Sequence, residues 1–380
     1  MRIVQVAPFY YPVIGGVEEV VRRIAEYMAS RGHDIYVLTY NRLRVGGKLS
    51  LTQNDLINGV KVIRVKPDFI WSSGTYSSEV PNVLERLKPD LVHVHVWRHP
   101  HVFQIAKLKK IMKFKAILHG HAPFHILSQV GFITWMYHRM IDIIAGKFLN
   151  LYSLYDAYIA LTPHEKDIVL RKLGFLNNRV VIIPNGIDPP KTQYYIDESA
   201  RDNKVLYLGR ISREKNVLLL IKSMRHVAEE IRNVKLILVG PDEGLMEEIH
   251  NYAKSKNLTH IIEHLGPIYG DKKYKVYASS AVFSLPSLYE AFGITLLEAS
   301  IVGTPSVITG EGGQLYVAPP NKVSLWAKPN SKCFANAIIT LLNDKNLRKK
   351  LGQYAREWAQ QYTWNRILSK YEKLYDIICA

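Results

Sequence analysis

Leu285-Pro286-Ser287-Leu288-Tyr289-Glu290-Ala291-Phe292-Gly293-Ile294-Thr295-Leu296-Leu297-Glu298-Ala299 reads as a strand end, a turn and the opening of a helix. It sets two carboxylates, Glu290 in the turn and Glu298 in the helix, around that opening. A helix start offers unpaired backbone N–H groups and a positive dipole end, so it suits a phosphate. Ionised carboxylates are acceptors only and suit hydroxyls. Phosphate beside hydroxyls describes a nucleotide-sugar. Two solvated acids on an ordinary strand–turn–helix are the alternative.

Outward from this stretch, short apolar runs alternate with helical patterns. Ile3–Ala7, Ile35–Thr39, Val60–Val65, Leu91–Val96, Ala116–His119, Ala157–Leu161 and Val180–Ile183 read as strands, with helical patterns such as Val17–Arg31 and His164–Leu173 between them. Nearly all-apolar strands separated by helices imply parallel sheets covered on both faces. The pattern stops at Pro184-Asn185-Gly186-Ile187-Asp188-Pro189-Pro190 and a polar stretch, Lys191 to Asn203, which reads as a linker. It restarts with strands at Lys204–Leu208, Val234–Val239, Ile261–His264, Ala281–Leu285 and Ser306–Ile308. Helical segments near Cys333–Leu342, Asn346–Gln360 and Thr363–Ile378 close the chain. The expected class is α/β, with two doubly wound parallel-sheet domains facing across a cleft. Ligands of open parallel sheets bind beyond the carboxyl ends of the strands, so that cleft is the default site.

The 380 residues suffice for two domains, and 48% hydrophobic with 22% charged residues is a globular composition. No run of 18 apolar residues exists, so no transmembrane helix is expected. The start, Met1-Arg2-Ile3-Val4-Gln5-Val6-Ala7-Pro8, reads as a buried strand rather than a secretion signal. Two cysteines, Cys333 and Cys379, suggest no disulfide framework and suit a reducing, cytoplasmic setting. The net charge of +17 asks for an anionic partner. Between Arg98 and Asn150 eight Lys/Arg meet one acid, Asp142, with Trp135, Met136, Tyr137, Phe148 and Leu149 interleaved. Such a segment suits peripheral contact with an anionic membrane on its inner face, or a solvated helix over a buried stripe. Nucleic acid is not expected, because no recognition motif accompanies the charge.

Three further pieces bear on the chemistry. Gly15-Gly16 ends the loop after the first strand, either as a tight turn or as a close approach to a ligand; neither Gly-x-Gly-x-x-Gly nor a Walker Gly-Lys-Ser/Thr is present. Arg210 leaves the first strand of the second domain and Lys215 opens the next helix. The two cations suit a departing diphosphate, which gains charge in the transition state, or alternatively a surface pair with Glu214. Histidines cluster at His93, His95, His99 and His101, and again at His119, His121 and His125. Zinc at the first cluster lacks obvious partner carboxylates, so no metal is expected. His119 closes a strand before Gly120, a place that points its imidazole into the cleft or satisfies it at the strand end.

Together these pieces resemble the retaining glycosyltransferases of family 4, with the GT-B fold of two Rossmann-like domains. The resemblance runs through Gly15-Gly16, Leu91-Val92-His93-Val94-His95, Leu118-His119-Gly120, Ile183-Pro184-Asn185-Gly186-Ile187-Asp188, Gly209-Arg210 to Lys215, Leu238-Val239-Gly240, Leu265-Gly266 and, most specifically, Glu290 to Glu298. It implies an acceptor-side domain of residues 1–188 plus a returning helix 363–380, pinned by Trp364, and a donor-binding domain of residues 189–362. It implies that Arg210 and Lys215 hold the donor diphosphate, Glu290 binds sugar hydroxyls, and Glu298 binds the ribose. The amides of Ala291, Phe292, Gly293 and Ile294 would cap sugar and phosphate. His119 would lie beside the donor sugar, Gly15 and Gly16 against phosphate and acceptor, and Gly266 under the base. Glu290, His119, Arg210 and Lys215 would be the catalytic set.

The implied reaction moves a sugar from a UDP- or GDP-linked donor to a glycan or lipid-linked hydroxyl, with retention and without metal or other cofactor. No side chain pairs as nucleophile with an acid/base, so same-face attack is expected, with domain closure excluding water. The alternatives are a nucleotide-sugar epimerase of the same fold and a non-catalytic nucleotide-sugar-binding protein. The chain departs from the family at Asn216 and Ala291, where glycine is frequent, and lacks the usual Asn-Gly-hydrophobic turn after Glu311-Gly312-Gly313.

Overall fold

The computed structural model describes residues 1–13, 15–43, 51–71, 74–121, 124, 126–192, 194, 201 and 203–380. The chain forms two compact units: Met1–His125, Gly131–Asn185 and Trp364–Ala380 in the first, Ile126–Val130 and Gly186–Thr363 in the second. His125, counted above with the second histidine cluster, lies outside the described residues.

The first unit holds β1 (Arg2–Val6), β2 (Asp34–Tyr40), β3 (Asn54–Ile57), β4 (Val60–Val65), β5 (Leu91–His95), β6 (Lys115–His119), β7 (Ala157–Ala160) and β8 (Val180–Ile182). They lie in the order β8-β7-β6-β5-β1-β2-β4-β3. All pairs are parallel except β3 with β4. That antiparallel edge and the short hairpin Phe69–Trp71 with Gly74–Tyr76 escaped the sequence reading. Asn54-Asp55 opens β3 with polar residues, and each hairpin strand has three residues, too few to show a period.

Side-chain alternation along these strands feeds two cores. Val4, Val92, Val94, Ala116 and Leu118 point to one face, beneath helices that include Pro100–Leu108 and Pro163–Leu173. Ile3, Ile35, Val37, Leu91 and Ile117 point to the other. Helix α1 (Gly16–Ser30) covers that second face with Val20, Ile24 and Met28, and the last helix, Trp364–Cys379, covers it with Ile367, Tyr371 and Tyr375. The polar residues on this face include Gln5, Thr39, Arg64, His93, His95 and His119, with His95 and His119 at the carboxyl ends of their strands and His93 at the middle of its own. β5 stops one residue before the predicted end because Val96 takes φ 70°, strained backbone for a β-branched residue.

The second unit holds β9 (Lys204–Leu208), β10 (Lys235–Val239), β11 (Ile262–His264), β12 (Val282–Leu285), β13 (Ser306–Ile308) and β14 (Ser324–Trp326), all parallel. The order β11-β10-β9-β12-β13-β14 is the doubly wound 3-2-1-4-5-6 arrangement. Two of its helices, Ser331–Asn343 and Lys345–Ala359, start at caps the sequence supplies: Asn330 accepts from the Cys333 amide and Asp344 from the Leu347 amide. Among the described residues no helix is long and apolar enough to cross a membrane.

Candidate active site

In a 3-2-1-4-5-6 sheet the chain winds away in opposite directions from the two central strands, leaving a crevice at their carboxyl ends. In the second unit those strands are β9 and β12. The loop after β9 carries Gly209, Arg210 and Lys215; the loop after β12 carries Pro286 to Glu290. Two side-chain links join the loops. Lys215 Nζ donates to Glu290 Oε1 at 2.7 Å and to Oε2 at 2.9 Å. Asn216 Nδ2 donates to the Pro286 carbonyl at 3.1 Å. Asn216 sits at φ 53° just before the helix Val217–Glu230, a conformation asparagine tolerates nearly as well as the glycine frequent there.

The Glu290 loop is held from below. Tyr289–Glu290 pairs in parallel with Glu311–Gly312. A Cβ on Gly313 would lie 2.1 Å from the Ala291 carbonyl oxygen, so this approach needs glycine. Gln314 Nε2 then donates to the carbonyls of Ser287 and Glu311, each at 3.1 Å, and of Thr309. This buried amide staples the loop in the region where the family's Asn-Gly turn is missing. Gly293, at φ 91°, turns the chain into the helix Ile294–Ile301, whose first amides open beside Glu290 in sequence. Phe292 is buried, with its ring edge against Tyr362.

Arg210 lies at the same carboxyl end, but its guanidinium is engaged. Nη1 donates to Glu243 at 2.7 and 3.0 Å, and Nη2 donates to Glu214 at 2.9 Å. Burial works against its charge, and the two carboxylates outweigh it, holding the Arg210 pKa above its ordinary value. The surface pair with Glu214 is therefore formed, and Glu243 is a partner the sequence did not reveal. Glu298 engages a different cation: Lys273 Nζ donates to its Oε1 at 2.5 Å and the Tyr277 hydroxyl to its Oε2 at 3.1 Å. Lys273 and Tyr277 are spaced i, i+4 on one helix face, a signal visible in sequence without its partner.

The strand ends beside this loop meet as bare backbone. The Gly240 amide, after β10, donates to the Gly266 carbonyl, after β11, at 3.0 Å. A Cβ on Gly240 would fall 1.8 Å from the Gly209 oxygen. Gly209, Gly240 and Gly266 thus form a glycine floor, bordered by the Tyr207 hydroxyl at Gly209 and by His264 Nε2, 3.0 Å from the Gly240 carbonyl oxygen.

Gly15, Gly16 and His119 belong to the first unit. Gly15 is the extended residue before α1 and Gly16 its first residue. His119 is fully buried, and neither of its ring nitrogens has a hydrogen-bond partner among the described residues, so the imidazole is not satisfied at the strand end. Alternation puts it on the face covered by Trp364–Cys379, stacked on His121 at 3.8 Å and on His93 at 5.6 Å between ring centroids. Around it, the Tyr375 hydroxyl meets His93 Nδ1 at 2.6 Å, His95 Nδ1 meets His121 Nε2 at 2.9 Å, and His95 Nε2 meets the Gln5 side-chain oxygen at 3.0 Å. Burial pushes His93, His95 and His119 well below the usual imidazole range, so the stack is neutral. One nitrogen from each of these three lies within 4.8 Å of the others, close enough for a metal-ligand set, although His95 already spends both nitrogens.

A family model for glycosyl transferases group 1 matches residues 196–358, and one for glycosyltransferase family 4 matches residues 14–191. The chain is 27% identical, over 99% of its length and 98% of the relative's, to an uncharacterized glycosyltransferase of Methanocaldococcus jannaschii. It is 24% identical, over 99% of its length and 80% of the relative's, to the phosphatidylinositol N-acetylglucosaminyltransferase gpi3 subunit of Schizosaccharomyces pombe. The crystal structure of Anabaena HepE in complex with UDP-glucose shares its fold, with a TM-score of 0.74 at 21% identity and 99% coverage of both chains. Family models matching both halves in order, on a chain whose second sheet gathers the Glu290 loop and Lys215 at its switch point, place it in glycosyltransferase family 4, with the GT-B fold.

Proposed function

We propose that this glycosyltransferase takes its sugar from a nucleotide diphosphate donor bound at the carboxyl end of β9 and β12, and transfers it with retention and without a metal. The observation that carries the reading is the Lys215–Glu290 contact next to the glycine-led start of the helix Ile294–Ile301. The carboxylate keeps the ammonium in place before the donor arrives. On binding, the diphosphate takes over the lysine's N–H groups, and Glu290 is released to accept from sugar hydroxyls. Arg210 and the amides of Ala291 to Ile294 add positive potential where the leaving phosphate gains charge. Glu298 receives the ribose, and the glycine floor at Gly266 receives the base.

The C1–O bond to the leaving phosphate breaks as the acceptor oxygen attacks from the same face. The acceptor proton passes to the departing phosphate oxygen. His119 acts as a neutral imidazole on the acceptor side, with Gly15 and Gly16. HepE, similar over its whole length, was solved with UDP-glucose, which supports a UDP-linked donor. The gpi3 relative is named for phosphatidylinositol, which supports a lipid-linked acceptor at an anionic membrane.

A thermal-shift screen across UDP- and GDP-sugars tests the donor: the cognate donor raises the melting temperature by linkage. Product analysis with a lipid-linked acceptor then separates transfer from epimerisation. Absence of any shift, with no sugar consumed, overturns the proposal.

A further inference from the structure

The helix Phe132–Ile143 of the first unit is built inside out. Its one buried residue is the acid, Asp142. Arg98 binds that carboxylate through Nη2 at 2.7 Å and Nε at 2.8 Å, and Trp97 Nε1 donates to it at 2.9 Å. The apolar side chains face outward: Ile133 is 85% exposed, Phe132 62% and Met140 52%. The turn that follows is a π-helix, Ile144–Phe148, and Phe148 is 77% exposed. A charge anchors this helix, and its greasy face is left without cover, a pattern that marks an interaction surface.

A cavity of about 470 Å³ opens beside it, walled by Phe103, Ile141, Ile144 and Leu149, with Lys107 and Lys110 among its lining residues. That volume lies within the roughly 300–1,000 Å³ of small-molecule pockets. Arg139 of this helix and Lys172 of the helix Pro163–Leu173 line a second cavity of about 250 Å³, together with Arg98 and Asp142. Burial, and then Arg139 close by, lowers the Lys172 pKa, while Asp142 acts in the opposite direction.

We infer that this face docks on an anionic phospholipid bilayer, and that the 470 Å³ cavity receives part of a lipid acyl chain while Lys107 and Lys110 hold the phosphate of the same lipid. Charge decides the occupant. Residues 98–150 carry eight Lys/Arg against one acid, and that acid is spent on Arg98. A second copy would bring the same positive excess to the contact and be repelled. An anionic surface is attracted, and exposed apolar side chains then enter the headgroup–acyl boundary. The inference deepens the proposed reading by naming where a lipid-linked acceptor is met, and it can fail while that reading stands.

Flotation of the full chain with phosphatidylcholine vesicles, with and without phosphatidylglycerol, tests the face. Binding to the anionic vesicles at low salt, at least tenfold weaker to the neutral ones, is expected. The double variant Ile133→Asp, Met136→Asp removes solvent-facing side chains, so it keeps the wild-type melting curve and loses binding at least tenfold. Lys107→Glu with Lys110→Glu does the same. Soluble dioctanoyl phosphatidylglycerol, titrated calorimetrically, tests the cavity: Ala145→Trp, which fills it, abolishes the binding seen in wild type. Unchanged flotation of the double variant overturns the docking face, and so does a concentration-dependent dimer by light scattering that the same variant dissolves. Unchanged lipid titration in Ala145→Trp overturns the cavity's role. Nucleotide-sugar thermal shifts on the same variants stay at wild-type size, so loss of vesicle binding and loss of donor binding are read separately.

Discussion

Along β5 and β6 the first unit buries His93, His95 and His119 as stacked neutral rings, whereas at the carboxyl ends of β9 and β12 the second unit keeps Lys215, Glu290 and Arg210 as ion pairs partly open to solvent. Both are polar insertions among the central strands of a largely parallel sheet. They differ in what surrounds them. The imidazoles lie under an apolar helix that offers Tyr375 as a partner, so the charged form is excluded. The Lys215–Glu290 side chains are 20% and 12% exposed, open enough for an arriving anion to compete with the carboxylate. A neutral buried cluster fixes a shape; a half-open ion pair stores a charge that can be exchanged.

Acid breaks the comparison most strongly. A histidine whose pKa falls on folding leaves the unfolded chain to take up protons first. Stability is therefore fully present above about pH 6.5 and falls as the pH drops below it. For fully buried His101, lowered to about 4, the window runs from about 6.5 down to about 4. It contributes roughly 3 kcal/mol there, and His93, His95, His99 and His119 shift in the same direction. Hydrogen exchange between pH 7.5 and 4.5 should show the first unit opening before the second; simultaneous opening would refute the asymmetry.

The buried Arg98–Asp142 pair, 9% and 8% exposed, gives the next largest effect. Asp142→Ala strands the guanidinium and should cost about 3–5 kcal/mol in denaturant unfolding, while Lys215→Ala, in the more open pair, should cost well under half of that.

On activity the ranking reverses. Glu290→Gln keeps the loop but releases Lys215, and Arg210→Ala removes a fork of donors. Each should lower transfer by about 10²–10³-fold with the melting temperature held. Turnover within a few-fold of wild type would remove both from the catalytic set.

The smallest effect belongs to Arg213, whose pair with Glu248 joins side chains 75% and 43% exposed. Arg213→Ala should change neither stability nor transfer by more than about 0.5 kcal/mol. A large loss of donor affinity would show that Arg213, between Arg210 and Lys215 in the loop, also meets the diphosphate.

Much of the fold was legible because parallel strands buried on both faces leave apolar runs with clear punctuation. β1, β5, β9 and β12 fall within a residue or so of their predicted bounds. β3 and β14 were not read: β3 opens on the polar pair Asn54-Asp55, and β14, Ser324–Trp326, buries only its first residue. The site was legible where its residues share one loop, as from Glu290 to Glu298. Its long-range partners were not: Glu243 reaches Arg210 across 33 residues and Lys273 reaches Glu298 across 25. The burial of His119 also escaped, because a strand end looks exposed until the covering helix, some 250 residues later, is placed.

The meeting of Gly209, Gly240 and Gly266 carries a consequence for redesign. The smallest addition at position 240, a methyl, collides with the Gly209 carbonyl oxygen, whereas the side chains bordering the patch, the Tyr207 hydroxyl beside Gly209 and His264 at the Gly240 carbonyl, can be exchanged. Retargeting of such a surface must come from its borders, so, on the donor site proposed above, libraries aimed at altered nucleobase choice belong on those bordering side chains.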